Sequence, residues 1–144
     1  MSADPDYPDL SDRQRKLIRH SFTQLARRHH VIACLIFDRL FELDPTLRPL
    51  FPEDMRDLNR KLMETIALIV QRLDQPAALA ALVRQLGQRY SAVDLPLHHQ
   101  VFGQALLWAL RYGLVTGYND EVERAWTRLY ALLVALALER RARV

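Results

Sequence analysis

One cysteine and four glycines in 144 residues exclude a good deal. The lone thiol, Cys34, cannot close an internal disulfide, so the fold has no need of an oxidising compartment. It lies in the apolar run "VIACLIF" and reads as a buried small hydrophobe; nothing nearby in sequence would activate it as a nucleophile. So few glycines argue against a sheet built on tight hairpins, whose turns depend on positive-φ residues. No apolar run approaches the ~20 residues that a membrane span needs. The opening "MSADPDYPDL" is acidic and lacks the basic-then-apolar order of a signal peptide, so the expected location is cytoplasmic. Also missing are a nucleophile elbow, a Gly-rich phosphate loop, an HExxH string and paired zinc-binding cysteines. The net charge is only +3, and its densest basic clusters, "LARRHH" (25–30) and "ERRARV" (139–144), hold no interleaved aromatics. Nucleic-acid binding is therefore not expected.

What the chain does have is helical periodicity. Half the residues are apolar, about a quarter charged, and 144 residues suit one domain burying ~70% of its unfolded surface. Residues 1–9 read as a flexible tail and 10–144 as a single domain. Ser11 and Gln14 form a capping-box signature, followed by an apolar stripe of Leu17, Ile18, Phe22 and Leu25. A second helix is expected over residues 30–43, closed by Asp44-Pro45. A third is expected over residues 54–73, with Met55, Leu58, Leu62, Ile66, Ile69 and Leu73 at helical spacing. A shorter helix follows through Leu79 to Leu86, weakened at its end by Gly87. Asp94 and Pro96 open another, "GYND" (117–120) breaks it, and Asn119 caps the last. Period-two alternation is missing throughout. The pattern is all-α, with six or seven main helices of lengths suited to crossings of about 50° rather than to an even four-helix bundle.

The strings "FDRLFELDPTLRPLF" (37–51), "NRKLM" (59–63), "LGQRY" (86–90), "GQALLWAL" (103–110) and "AWTRLY" (125–130) sharpen this reading. From about Leu10 to Leu138 the chain resembles the bacterial single-domain globins, the globin part of flavohaemoglobins, and the neuroglobins. The resemblance implies a globin fold of six to eight helices and a haem pocket. With Val144 as the last residue, no flavin or nicotinamide reductase domain is expected to follow. In such a pocket a proximal imidazole binds iron, a distal residue shapes the ligand space, and a corner aromatic packs on the porphyrin. The resemblance assigns the corner aromatic to Phe51. Phe37 takes a second-helix position where many bacterial members carry a ligand-bonding tyrosine. The distal position, His or Gln in many relatives, falls on Leu58, with Leu62 as its apolar neighbour and Lys61 able to reach a haem propionate. The proximal histidine falls on Tyr90. Leu58 and Tyr90 are 32 residues apart, the distal-to-proximal spacing of a neuroglobin-like chain, so misregistration does not account for the tyrosine. A glutamate that assists the proximal side in flavohaemoglobins has Arg141 near its place.

Three readings of Tyr90 stand side by side. In the first, haem is lost or held poorly, and Tyr90, Leu58, Phe37 and Leu62 belong to an apolar or filled core. In the second, Tyr90 binds iron as tyrosinate; deprotonating a phenol of pKa ~10 costs ~4 kcal/mol at neutral pH unless the metal or a cation offsets it. In the third, His99 substitutes as iron ligand; it sits beside His98 at a helix start, where the macrodipole favours neutral imidazole. His29 and His30 read as solvated. Function accordingly divides between a haem-free or impaired globin acting as a sensor or interaction module and a haem-binding globin with an altered iron ligand. NO dioxygenase activity and oxygen carriage follow from the resemblance alone. The expected partners are haem or an apolar small ligand, with a homodimer through the first, fifth or sixth helix as a further expectation.

Overall fold

In a computed structural model of the chain, residues 10–89 and 95–142 are described, the side chains of 87–89, 95–99 and 138–142 excepted. Among them are six α-helices: α1 (Asp12–Gln24), α2 (His29–Leu43), α3 (Arg56–Gln71), α4 (Pro76–Arg89), α5 (Leu95–Leu114) and α6 (Asp120–Ala142). A 3₁₀ turn, Pro45–Leu50, joins α2 to the corner before α3. No described residue is in a strand. The expected all-α architecture is the one found.

Helix starts follow local chemistry. The Ser11 Oγ accepts from the Gln14 N–H at 3.1 Å, and the Gln14 side chain accepts from the Ser11 N–H at 3.0 Å, closing the expected capping box. Asp44 Oδ1 accepts from the Thr46 N–H at 3.2 Å while Pro45 starts the 3₁₀ turn. Asn119 Oδ1 accepts from the Val122 N–H at 2.9 Å, and Asp120, Glu121 and Glu123 set negative charge at the start of α6.

Two boundaries differ from expectation. The third helix begins at Arg56, because Asp54 turns back to accept from the Arg56 N–H at 3.0 Å and so forms the approach rather than the first turn. Helix α4 continues through Gly87 to Arg89; an internal glycine costs only about 1 kcal/mol against alanine, too little to end a helix with a packed face. Helix α5 ends at Leu114 and passes into a 3₁₀ turn, Val115–Gly117, which ends at the expected "GYND" break; at the junction Val115 adopts a left-handed φ of 52°. A β-branched residue is strained there.

The core runs from Leu10 to Leu129. Helix α2 packs along α5 and crosses α3, while α6 packs on α1, α4 and α5. Gly113 permits the close approach of α5: a Cβ there would lie 2.4 Å from Ile32 Cδ1 and 2.9 Å from Leu25 Cδ2. Buried Trp126 joins α6 to α1 by donating from Nε1 to Ser21 Oγ at 2.9 Å. The surface ion pairs, such as Arg13 with Glu121 and Arg19 with Asp74, are exposed and add little to stability. Among the described residues no helix is long and apolar enough to cross a membrane.

Candidate functional site

Helices packed in this order leave a cavity of about 490 Å³ between α2, the 3₁₀ turn, α3, α5 and α6. That falls within the ~300–1,000 Å³ of small-molecule sites. Phe37 and Leu40 from α2 line one wall, and Leu47, Leu50 and Phe51 line the corner. Helix α3 contributes Leu58, Leu62, Ile66 and Ile69, a stripe at i, i+4, i+8 and i+11 that one helical face must present together. Leu86 from α4, Phe102 and Leu106 from α5, and Trp126, Leu129, Tyr130 and Leu133 from α6 complete it.

The corner is built from aromatics. Phe37 and Phe51 have ring centroids 5.8 Å apart at 59°, and Phe41 and Phe51 5.3 Å apart at 61°. Such tilted contacts align positive ring edges with negative faces. Arg48 fixes the backbone around them. Its guanidinium lies 5.2 Å from the centre of the Phe41 ring and donates to the carbonyls of Phe51 at 3.3 Å, Pro52 at 2.9 Å and Glu53 at 3.3 Å. Arg48→Ala is expected to lower stability by about 1–2 kcal/mol in urea denaturation, since three carbonyls lose a charged donor. Arg48→Lys should restore only part of this, because one ammonium cannot match the planar fork.

Five of the residues singled out in the sequence, Phe37, Phe51, Leu58, Lys61 and Leu62, come together around this cavity. Lys61 is half-exposed, with Nζ 3.0 Å from Asp57 Oδ2. Tyr90 lies outside the described residues, as do the side chains of His99, His98 and Arg141. The lining residues reached from farther away, Phe102, Tyr130 and Leu133 among them, carry only the general signal of an apolar helical stripe. Tyr130 stacks on Phe102 at 6.2 Å, and Gly103 makes room for its ring, since a Cβ there would sit 2.9 Å from Tyr130 Cε2. Burial pushes the Tyr130 phenol well above its ordinary value, so it stays protonated at neutral pH.

Residues outside the cavity also differ from simple expectation. Cys34 is half-buried, and its Sγ accepts from Asn59 Nδ2 at 3.2 Å. Burial, followed by the Asp38 carboxylate, pushes the thiol up, as suits an unreactive cysteine. His29 is not simply solvated: its ring packs on Phe22 at 4.6 Å, which leaves Nε2 buried without a hydrogen-bond partner. Trp108 is half-buried against the core, with Arg39 5.2 Å over its ring and Tyr112 5.4 Å away. Among the described residues no three His, Cys, Asp or Glu side chains group as a metal site.

The sequence pattern of the family described as Globin matches residues 35–136. Neuroglobin from Chaenocephalus aceratus is 31% identical over 144 aligned residues, covering 88% of this chain and 89% of that protein. Neuroglobin from Tetraodon nigroviridis is 30% identical over 142 residues with the same coverage. A flavohemoprotein from Vibrio cholerae is 29% identical over 108 residues, 72% of this chain but only 27% of that protein. In three dimensions, a hexacoordinated heme protein from an anhydrobiotic tardigrade superposes with a TM-score of 0.83. It is 17% identical and covers 96% of this chain and 99% of its own, a likeness of fold.

Proposed function

This chain belongs to the globin family, and on that premise we propose that its cavity is a haem pocket with altered iron coordination. In this reading haem is held mainly by burial of its macrocycle, reversible oxygen carriage is impaired, and the protein serves as a sensor or interaction module. The observation that carries it is the cavity itself: about 490 Å³ of apolar space kept open by the corner aromatics and the α3 stripe.

The residues present fit the macrocycle. Phe51 and Phe37 offer ring surfaces, Leu58 and Leu62 offer hydrocarbon, and Lys61 offers a cation for a carboxylate at the rim. Haem, when bound, supplies an iron centre able to take a small gaseous ligand. Leu58, Leu62 and Phe37 have no side-chain donor, so none of them can hydrogen-bond a polar ligand in that space. Among the described residues that line the cavity there is no imidazole. The sequence position of the proximal ligand is occupied by Tyr90, whose phenol is protonated at neutral pH unless something offsets the cost of ionisation.

The second reading, tight haem binding through Tyr90 or His99, draws its support from the same open cavity. Titrating the haem-free full chain with haemin and following the Soret band separates the two. Impaired binding predicts a saturable change of one haem per chain at micromolar concentration, unaltered by Tyr90→Phe. Saturation at nanomolar concentration that is abolished by Tyr90→Phe or His99→Ala would replace this reading with the second. A titration without saturation would sink both.

A further inference from the structure

The described lining of the cavity has features for an apolar body and for an anion, but none particular to a metal. Its walls are hydrocarbon and aromatic, and Lys61 at the rim is the one charged side chain among the described residues that line it. Thr65, four residues on and on the same helical face, adds a hydroxyl to the lining. No described carboxylate lines the space, so an anion entering at Lys61 meets no like charge within it.

From this we propose that the cavity binds a long-chain aliphatic carboxylate, with the chain among the leucines and phenylalanines and the headgroup on Lys61. The proposal rests on the reading of the cavity as a ligand site but not on haem being that ligand. Lys61 can make the exchange at small cost. Its partner Asp57 is shared with Arg60, which also pairs with it, and all three side chains are about half-exposed or more. When Lys61 Nζ turns to a ligand carboxylate, Asp57 keeps its contact with Arg60, which it shares with Glu64. One exposed ion pair is exchanged for another that is partly shielded by the cavity wall, where the attraction is stronger. A neutral lipid of equal length would bury the same chain but gain nothing from Lys61, so charge sets the selectivity.

Trp126 lines the cavity and reports occupancy. The haem-free full chain is titrated with 12-bromododecanoate and, separately, with 12-bromododecanol, each a quencher of indole emission. Saturable quenching is expected with both, the acid binding roughly fivefold more tightly. Lys61→Gln should remove that preference and leave the alcohol unchanged, a split that a general loss of stability would not produce. Leu62→Trp should weaken binding of both by obstructing the α3 wall of the cavity; its circular dichroism and melting curve establish that it is folded. Equal affinity for acid and alcohol, an acid preference that survives Lys61→Gln, or no saturation with the folded wild type would each overturn the proposal. Haemin is titrated in parallel. Failure with haemin but success with the acid removes the haem reading alone; the reverse removes this one alone.

Discussion

Tyr90→His is expected to raise haemin affinity by at least about 100-fold, read as a sharp Soret band saturating at one haem per chain. The size follows from protonation. An unperturbed imidazole has a pKa of ~6.5 and is mostly neutral at pH 7, ready to give a lone pair to iron. A phenol of pKa ~10 is ionised in about one molecule per thousand at that pH, so its coordination starts from a thousandfold deficit. Iron recovers some of the deficit by favouring tyrosinate, which is why the predicted gain is smaller than the whole of it. The substitution also tests access, since the new imidazole can act only if the cavity admits the macrocycle. Unchanged affinity in a folded Tyr90→His protein would show that the proximal side does not admit haem. The same titration above pH 9 gives a second reading. If Tyr90 binds iron as tyrosinate, wild-type affinity should climb as pH approaches the phenol pKa, whereas binding by burial alone should show no such rise.

Trp126→Ala should cost about 3–5 kcal/mol of stability, the range for deleting a large buried aromatic. Trp126 is 2% exposed and serves two regions together. One face closes the cavity, while Nε1 donates to Ser21 Oγ across the α1–α6 contact. The hydroxyl of Ser21 in turn donates back to its own helix, within reach of the Leu17 and Ile18 carbonyls at 2.7 and 3.0 Å. Ser21→Ala leaves the indole N–H buried without an acceptor and should cost about 1–3 kcal/mol. Trp126→Phe should cost less than Trp126→Ala, since the phenyl ring keeps part of the packing. Urea denaturation of the two single mutants and of the double mutant Ser21→Ala/Trp126→Phe checks the account. A coupling energy near zero between the two sites would show that their hydrogen bond does not contribute. Because Trp126 is part of the cavity wall, Trp126→Ala should also enlarge the ligand space.

How much of this was legible in advance depended on the range of the interaction. Ser11 and Gln14 meet within three residues, as do Asn119 and Val122, so their caps could be read directly from the chain. The α3 stripe from Leu58 to Ile69 was legible for the same reason, because helical geometry alone places those side chains on one face. The stop of α5 was not. The sequence places the break at "GYND" (117–120), and the 3₁₀ turn Val115–Gly117 does end there. What local signals do not show is that the α-helix itself stops at Leu114, ahead of Val115, a residue disfavoured in the conformation it adopts. Local propensity there yields to the path between α5 and α6. Nothing local in the sequence distinguishes Arg48; the turn brings three carbonyls within its reach.

The sequence by itself determined an all-α chain, its main helices and the globin resemblance. These rest on local periodicity, capping and residue identity, which need no knowledge of distant contacts. Only the tertiary structure decided which apolar residues pack solidly and which border empty space. Ile18 and Ile66 are both isoleucines on a helical stripe, but Ile18 is sealed in the core while Ile66 borders the cavity. That difference depends on how remote elements meet: Gly113 lets α5 close on Ile32 of α2 and on Leu25, while Arg48 ties down the corner whose Leu50 and Phe51 line the cavity. Volume belongs to the spaces between elements, and no single segment encodes it.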